Sequence, residues 1–214
     1  MASPASLLAE REHVLLTFNG PVCSVFAGVG DRVVADRLCA YLDPHLPDGV
    51  AADPFEVLTW ARTRSETTGR LVELELRKQE LAAVATAVET PGALDLVRDL
   101  VLHGHKVTVV SNHSTDAVVA YLAGCELGRY VYEISARHSV ETTPLTPDPY
   151  LLTQAILLLD TTPDRACLVA GSVADVQAAR AAGLPAIAYA HRPGSRELFL
   201  AHRPDAVIGA MSEV

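Results

Sequence analysis

The chain has 214 residues, half of them apolar, and a net charge of −9 with its acids spread along the sequence. That length buries a sizeable core and fits one domain, or a core domain with a small insertion; the charge makes a nucleic-acid backbone an unlikely partner. No apolar run reaches membrane length, no signal peptide is present, and Cys23, Cys39, Cys125 and Cys167 lack metal spacing, so the expectation is a reduced cytoplasmic protein with free thiols.

Residues 1–12 read as a frayed start or a short helix. Val14-Leu15-Leu16-Thr17-Phe18 is a short apolar run that halts at Asn19 and a Gly20-Pro21 turn, the pattern of a parallel strand covered on both faces. Ligands of open α/β sheets bind at the carboxyl ends of strands, which draws attention to Thr17 and Asn19. Cys23 lies near that strand end, although a small buried hydrophobe is the better reading of each cysteine.

Residues 24–88 read as helical, with helices at 31–42, 54–64 and 67–88 around a Pro-, Gly- and Asp-rich loop at 43–53. In the last helix Leu74, Leu81, Val84 and Val88 share one face, while Glu73, Arg77, Lys78 and Glu80 fall elsewhere. From Thr90 the pattern alternates: a helix at 93–102, a strand at 106–110 ending at Ser111 and Asn112, a helix at 115–123 and a short strand at 131–135. A loop with Thr142, Thr143 and Thr146-Pro147-Asp148-Pro149 leads into a helix at 150–159. A strand at 166–170 halts at Gly171-Ser172, a helix at 175–182 ends at Gly183, a strand follows at 185–189, and 206–208 is an edge strand. The strand ends at Thr17, Ser111 and Gly171 should share one rim.

Together these stretches resemble the haloacid dehalogenase superfamily, in the subfamily with a small helical cap after the first strand. The likeness rests on Leu15-Leu16-Thr17-Phe18-Asn19-Gly20, on Val107 to Asn112, on Leu145-Thr146-Pro147-Asp148-Pro149-Tyr150, on Leu168 to Asp175, and on Ala178 to Tyr189. It implies an α/β fold with a Rossmann-like parallel sheet core (residues 1–24 and 89–214) and an all-helical cap (25–88). In that family the first strand ends in Asp-x-Asp-Gly, a nucleophile and an acid–base; Thr17 and Asn19 stand there. Ser111 matches the phosphoryl-binding Ser or Thr, Thr146 the charge-balancing Lys, and Gly171 and Asp175 the acidic pair that holds Mg²⁺.

A Thr hydroxyl needs a base to attack, Asn19 cannot trade protons, and Mg²⁺ wants hard anionic oxygens. The expectation drawn from the resemblance is therefore a protein that has lost Mg²⁺-dependent aspartyl-phosphate chemistry, with no metal and no cofactor, and keeps a small-molecule pocket in an accessory or binding role. The alternative is a metal-independent enzyme that cyclises, eliminates or isomerises an uncharged substrate; residual phosphatase activity comes a distant third. Thr17, Asn19 and Ser111 are the candidate catalytic positions, and Gly20, Asn112, His113, Thr146, Ser172 and Asp175 the candidate ligand-binding ones.

Bland readings stand beside these. Thr17 and Asn19 suit backbone capping, Ser111 and Asn112 suit a helix N-cap, Asp175 suits loop amides and His113 a half-exposed loop. Residues 191–196 form a basic loop with Arg192, Arg196 and a partly charged His191, which suits a solvated face. Phe26, Phe55 and Trp60 are candidates for an apolar lid and, more simply, for the core of the helical insert. Beyond a small molecule, a protein partner or a second copy of the chain stays open.

Overall fold

A computed structural model describes residues 3–42, 52–138 and 143–214. Most of the expected loop at 43–53, and Thr142, lie outside the described residues. At the centre is a six-stranded parallel sheet in the order β5-β4-β1-β6-β7-β8. Its strands are β1 (His13–Thr17), β4 (Lys106–Ser114), β5 (Val131–Arg137), β6 (Ala166–Ala170), β7 (Ala186–Tyr189) and β8 (Ala206–Ile208). The middle strand β1 pairs with β4 on one side and β6 on the other, so Thr17 comes beside Val110 and Leu16 beside Val169.

The strands read as continuous apolar runs because helices cover both faces of the sheet. Alternation sorts them between two cores: Val14, Leu16, Val107, Val109, Cys167 and Val169 point to one, Leu15, Val110, Leu168 and Ala170 to the other. The first core takes α1 (Pro4–Ala9), α5 (Ala93–Leu102) and α6 (Thr115–Gly124); α5 inserts Ala93, Leu96, Val97 and Leu100, one helical stripe. The second takes α7 (Tyr150–Leu158), α8 (Val173–Ala181) and α9 (Ser195–Ala201) through Leu151, Val176 and Phe199.

Beyond β1 the chain forms a two-residue strand, β2 (Cys23–Ser24), which pairs antiparallel with β3 (Val88–Glu89). Between them stand α2 (Asp31–Cys39), α3 (Pro54–Arg64) and α4 (Glu66–Ala83). Asp53 caps α3 by accepting from the Phe55 and Glu56 amides, and Pro54 fits the first turn, where its missing N–H is no loss. Ser65 caps α4 through the Thr68 amide.

Several expectations are corrected. Leu74, Leu81 and Val88 do not form a buried face: all three are exposed, and Val88 belongs to β3 beyond the helix end. The buried face of α4 is Gly69, Val72, Glu73, Leu76, Glu80 and Ala83. Two carboxylates are tolerated there because basic groups meet them, and a hydropathy pattern counts them as solvent-facing. Ser111 and Asn112 do not open α6; β4 continues through them, and Ser114 is the cap, accepting from the Ala117 amide. The basic loop is cut short by α9, which starts at Ser195 after Gly194 takes a left-handed φ of 76°. Cys23 is buried, and burial pushes its thiol far above the ordinary range, which leaves it inert at neutral pH.

Candidate functional site

A cavity of about 1000 Å³ opens over the carboxyl ends of β1, β4 and β6, roofed by α3. Its wall carries Thr17, Asn19, Gly20, Ser111, Asn112, His113, Thr146, Ser172 and Asp175, so the residues singled out from sequence come to one place. Phe55 and Trp60 of α3 also line it, whereas Phe26 is buried in the core behind.

The rim is tight. A Cβ on Gly171 would lie 2.3 Å from the Asn19 carbonyl oxygen, so only glycine lets the loops after β1 and β6 touch. Through that contact the Gly171 amide donates to Thr17 Oγ1 at 2.8 Å, and the Thr17 hydroxyl faces the Val169 carbonyl at 3.4 Å. Gly20 holds a φ of 103°, which turns the chain away from the sheet. Asn19 Oδ1 accepts the Val25 amide at 3.3 Å, leaving its Nδ2 as a donor. Ser111 Oγ accepts the His113 amide at 2.9 Å and keeps its own proton for another acceptor.

Asp175 is a titratable group on this rim. It completes a capping box at the start of α8: its Oδ2 accepts the Ser172 amide at 2.9 Å, and Ser172 Oγ accepts the Asp175 amide at 3.1 Å. Asn112 grips Thr146 twice, its Nδ2 donating to Thr146 Oγ1 at 2.9 Å and its Oδ1 accepting the Thr146 amide at 3.1 Å. The Thr146 side chain is also among the groups that act to lower the Asp175 carboxyl. Burial outweighs these hydrogen bonds and pushes the Asp175 carboxyl up to about 6 from 3.8. A carboxyl that titrates there is matched to proton transfer near neutral pH.

The basic loop contributes less charge than its composition promises. Burial lowers the affinity of His191 for a proton, and Arg192 Nε donates to its Nε2 at 3.2 Å. Arg196 turns away to the Val207 carbonyl. Arg192 is the cation this loop brings to the cavity wall.

Sequence reasoning missed the ionic network behind the wall. Arg137, at the end of β5, is fully buried; it bonds Glu73 and Glu80 of α4, the latter at 2.6 Å, and donates from Nε to the Asn112 carbonyl at 2.7 Å. Glu73 also meets Arg77 at 2.8 Å and Arg62 at 3.1 Å. Glu80 accepts from His113 Nδ1 at 3.1 Å and from the Ser114 amide at 3.0 Å. His113 is therefore no loop histidine: it is 1% exposed and ringed by Phe18, Phe26 and Phe55. No local signal ties Arg137 to α4, because its partners are more than fifty residues away.

Burial alone would raise Glu80, but Arg137, His113 and the Ser114 amide prevail and hold its carboxyl at about 2, against 4.5 in an unstructured chain. A carboxyl depressed in the native state stabilises it above pH 4.5, and that stabilisation is lost as pH falls towards 2. Melting temperature should accordingly drop over that window, and Glu80→Gln should show a flatter profile there by calorimetry. Equal slopes would contradict the assignment.

The family resemblance implies Mg²⁺, and the donors do not suit it. Among the described residues no three His, Cys, Asp or Glu side chains come together to hold a metal. Asn19 Oδ1 and Thr17 Oγ1 are taken by backbone amides, and Asp175 Oδ2 by the Ser172 amide. No step below is routed through a metal.

A sheet of this topology, a helical insert after its first strand and a cavity over the strand ends define a hydrolase-type α/β fold. Residues 50–183 match the family of haloacid dehalogenase-like hydrolases, and the chain belongs to that family. Solved structures share the fold. The CbbY protein of Rhodobacter sphaeroides, in complex with xylulose 1,5-bisphosphate, superposes with a TM-score of 0.74 at 19% identity, over 95% of this chain and 96% of that one. A putative phosphoglycolate phosphatase from Lactobacillus plantarum gives 0.73 at 12% identity over 95% and 97%. A putative haloacid dehalogenase-like hydrolase from Bacteroides fragilis gives 0.72 at 17% over 94% and 97%. No curated protein matches the chain. Among the described residues no helix is long and apolar enough to cross a membrane.

These findings overturn the functional expectation drawn from the sequence. Lost phosphoryl chemistry, an accessory binding role and a metal-independent enzyme for uncharged substrates were inferred from residue types at Thr17, Asn19, Thr146 and Gly171. Membership of a family of hydrolases contradicts that expectation. Residue types alone do not reveal that burial raises the Asp175 carboxyl on the rim that Asn19 shares.

Proposed function

We propose that the chain is a phosphomonoester hydrolase for a small organic phosphate bound between the strand ends and α3, with residues 25–88 as cap and residues 1–24 and 89–214 as core. The phosphoryl group faces the Ser111 hydroxyl, Asn19 Nδ2 and Arg192, which donate to its oxygens. A water oxygen forms the new P–O bond as the ester P–O bond breaks. Asp175 takes the water proton, and the alcohol leaves with a proton from solvent. Asn112 and Thr146 position Asp175, and Thr17 and Gly20 shape the rim.

The observation that carries this reading is the Asp175 carboxyl, raised to about 6 and facing the cavity. The phosphate-related relatives support the substrate class. The test is phosphate release by the purified protein from a panel of phosphomonoesters that includes phosphoglycolate and a pentulose bisphosphate. Release from at least one, suppressed by Asp175→Asn, is expected. No release from any, under any buffer or ion condition, would overturn the reading.

A further inference from the structure

His113 is fixed as though for a ligand. Glu80 stays ionised and can only accept, so Nδ1 of His113 is the nitrogen that carries the proton towards it at 3.1 Å. Glu80 is itself anchored by the Ser114 amide and by Arg137, and Arg137 grips the carbonyl of Asn112, the residue before His113. The ring therefore has little freedom. Its other nitrogen, Nε2, is fully buried and has no hydrogen-bond partner among the described residues. The neighbours on that ring are Phe18, Phe26 and Phe55 at 5.9, 5.3 and 4.9 Å between centroids, and none of them offers an N–H or O–H.

A buried ring nitrogen left unpaired is costly, and groups of this kind are held in place where something else supplies the partner. His113 lies on the cavity wall between Phe18 and Phe55. Phe55 is half-buried in the first turn of α3 and lines the same cavity beside His113.

We propose that His113 Nε2 is a specificity contact: it forms a hydrogen bond with a hydroxyl or amine on the organic part of the substrate. The inference rests on the phosphomonoesterase reading and narrows its substrates to phosphoesters that carry such a group. An alkyl phosphate of the same length fills the cavity yet leaves Nε2 unmade, which costs it roughly 10- to 100-fold in kcat/KM.

Two measurements test this. In protein labelled with ¹⁵N-histidine, a hydroxyalkyl phosphate should move the His113 Nε2 resonance away from its unpaired position, whereas the matching alkyl phosphate should leave it in place. In turnover, the wild type should prefer the hydroxyalkyl ester and His113→Phe should erase the preference, with His113→Gln, which keeps a hydrogen-bonding group, restoring part of it. An Nε2 resonance indifferent to both bound esters, or a preference that survives in His113→Phe, overturns the inference. If His113→Phe does not fold, the wild-type resonance decides. Equal hydrolysis of both esters with an unmoved resonance removes this inference and leaves the hydrolase reading intact; a moved resonance with no hydrolysis does the reverse.

Discussion

Asp175→Asn should lower phosphate release by about 10²–10⁴-fold while making the protein more stable above pH 6. The first effect follows from removing the proton acceptor, since an amide keeps the shape and cannot take the water proton. The second follows from linkage. Burial raises this carboxyl from 3.8 to about 6, so the native state binds its proton more tightly than the unfolded chain does. The stability that goes with the protonated form is complete below pH 3.8 and is lost as pH rises through 6. Above that, the wild type carries a partly buried charge that Asn lacks, and Asn can still accept the Ser172 amide. Melting temperatures should coincide near pH 4 and diverge in favour of the variant at pH 8. A variant that is equally active, or less stable at pH 8, would remove Asp175 from the role given it here.

Arg137→Met should be among the most destabilising single changes in the chain, at about 3–5 kcal/mol. Arg137, Glu73 and Glu80 are all fully buried, and removing the guanidinium takes away the cation the two carboxylates share, leaving Glu73 to Arg62 and Arg77 and Glu80 to His113 and the Ser114 amide. It also removes the donor to the Asn112 carbonyl, so the end of β4 loosens beside the cavity. At ~2–4 °C per kcal/mol for a domain of this size, melting should fall by ~6–20 °C. Replacing all three by apolar residues of similar volume should recover most of that loss, because the desolvation cost disappears along with the attraction. The triple variant should nonetheless bind phosphoesters more weakly, since Glu80 holds His113 and Arg137 holds Asn112. If the single variant melts with the wild type, the network contributes nothing to stability.

The sheet was legible because its chemistry is local. Runs such as Val14–Thr17 and Ala166–Ala170 are apolar throughout, as strands buried on both faces must be, and each stops at small residues where the cavity begins. The positions lining that cavity were legible for the same reason. The orientation of α4 was not: Glu73 and Glu80 count as polar in any pattern, and the arginine that lets them face inward sits on β5, 64 and 57 residues further on. α9 was hidden behind Pro193 and Gly194, which read as loop although Gly194 serves to open the helix. Function was misread where identity was taken for environment. Thr17 and Asn19 describe what stands at the end of β1, whereas the proton affinity of Asp175 depends on how the loops after β4 and β6 close over it.

The most direct measurement is the pH dependence of phosphate release from a small phosphomonoester by wild type and Asp175→Asn. A rate that rises with pH through a midpoint near 6 in the wild type, and loses that limb in the variant, is the expected result. Phosphate release whose pH profile and magnitude are the same in both proteins would contradict the account.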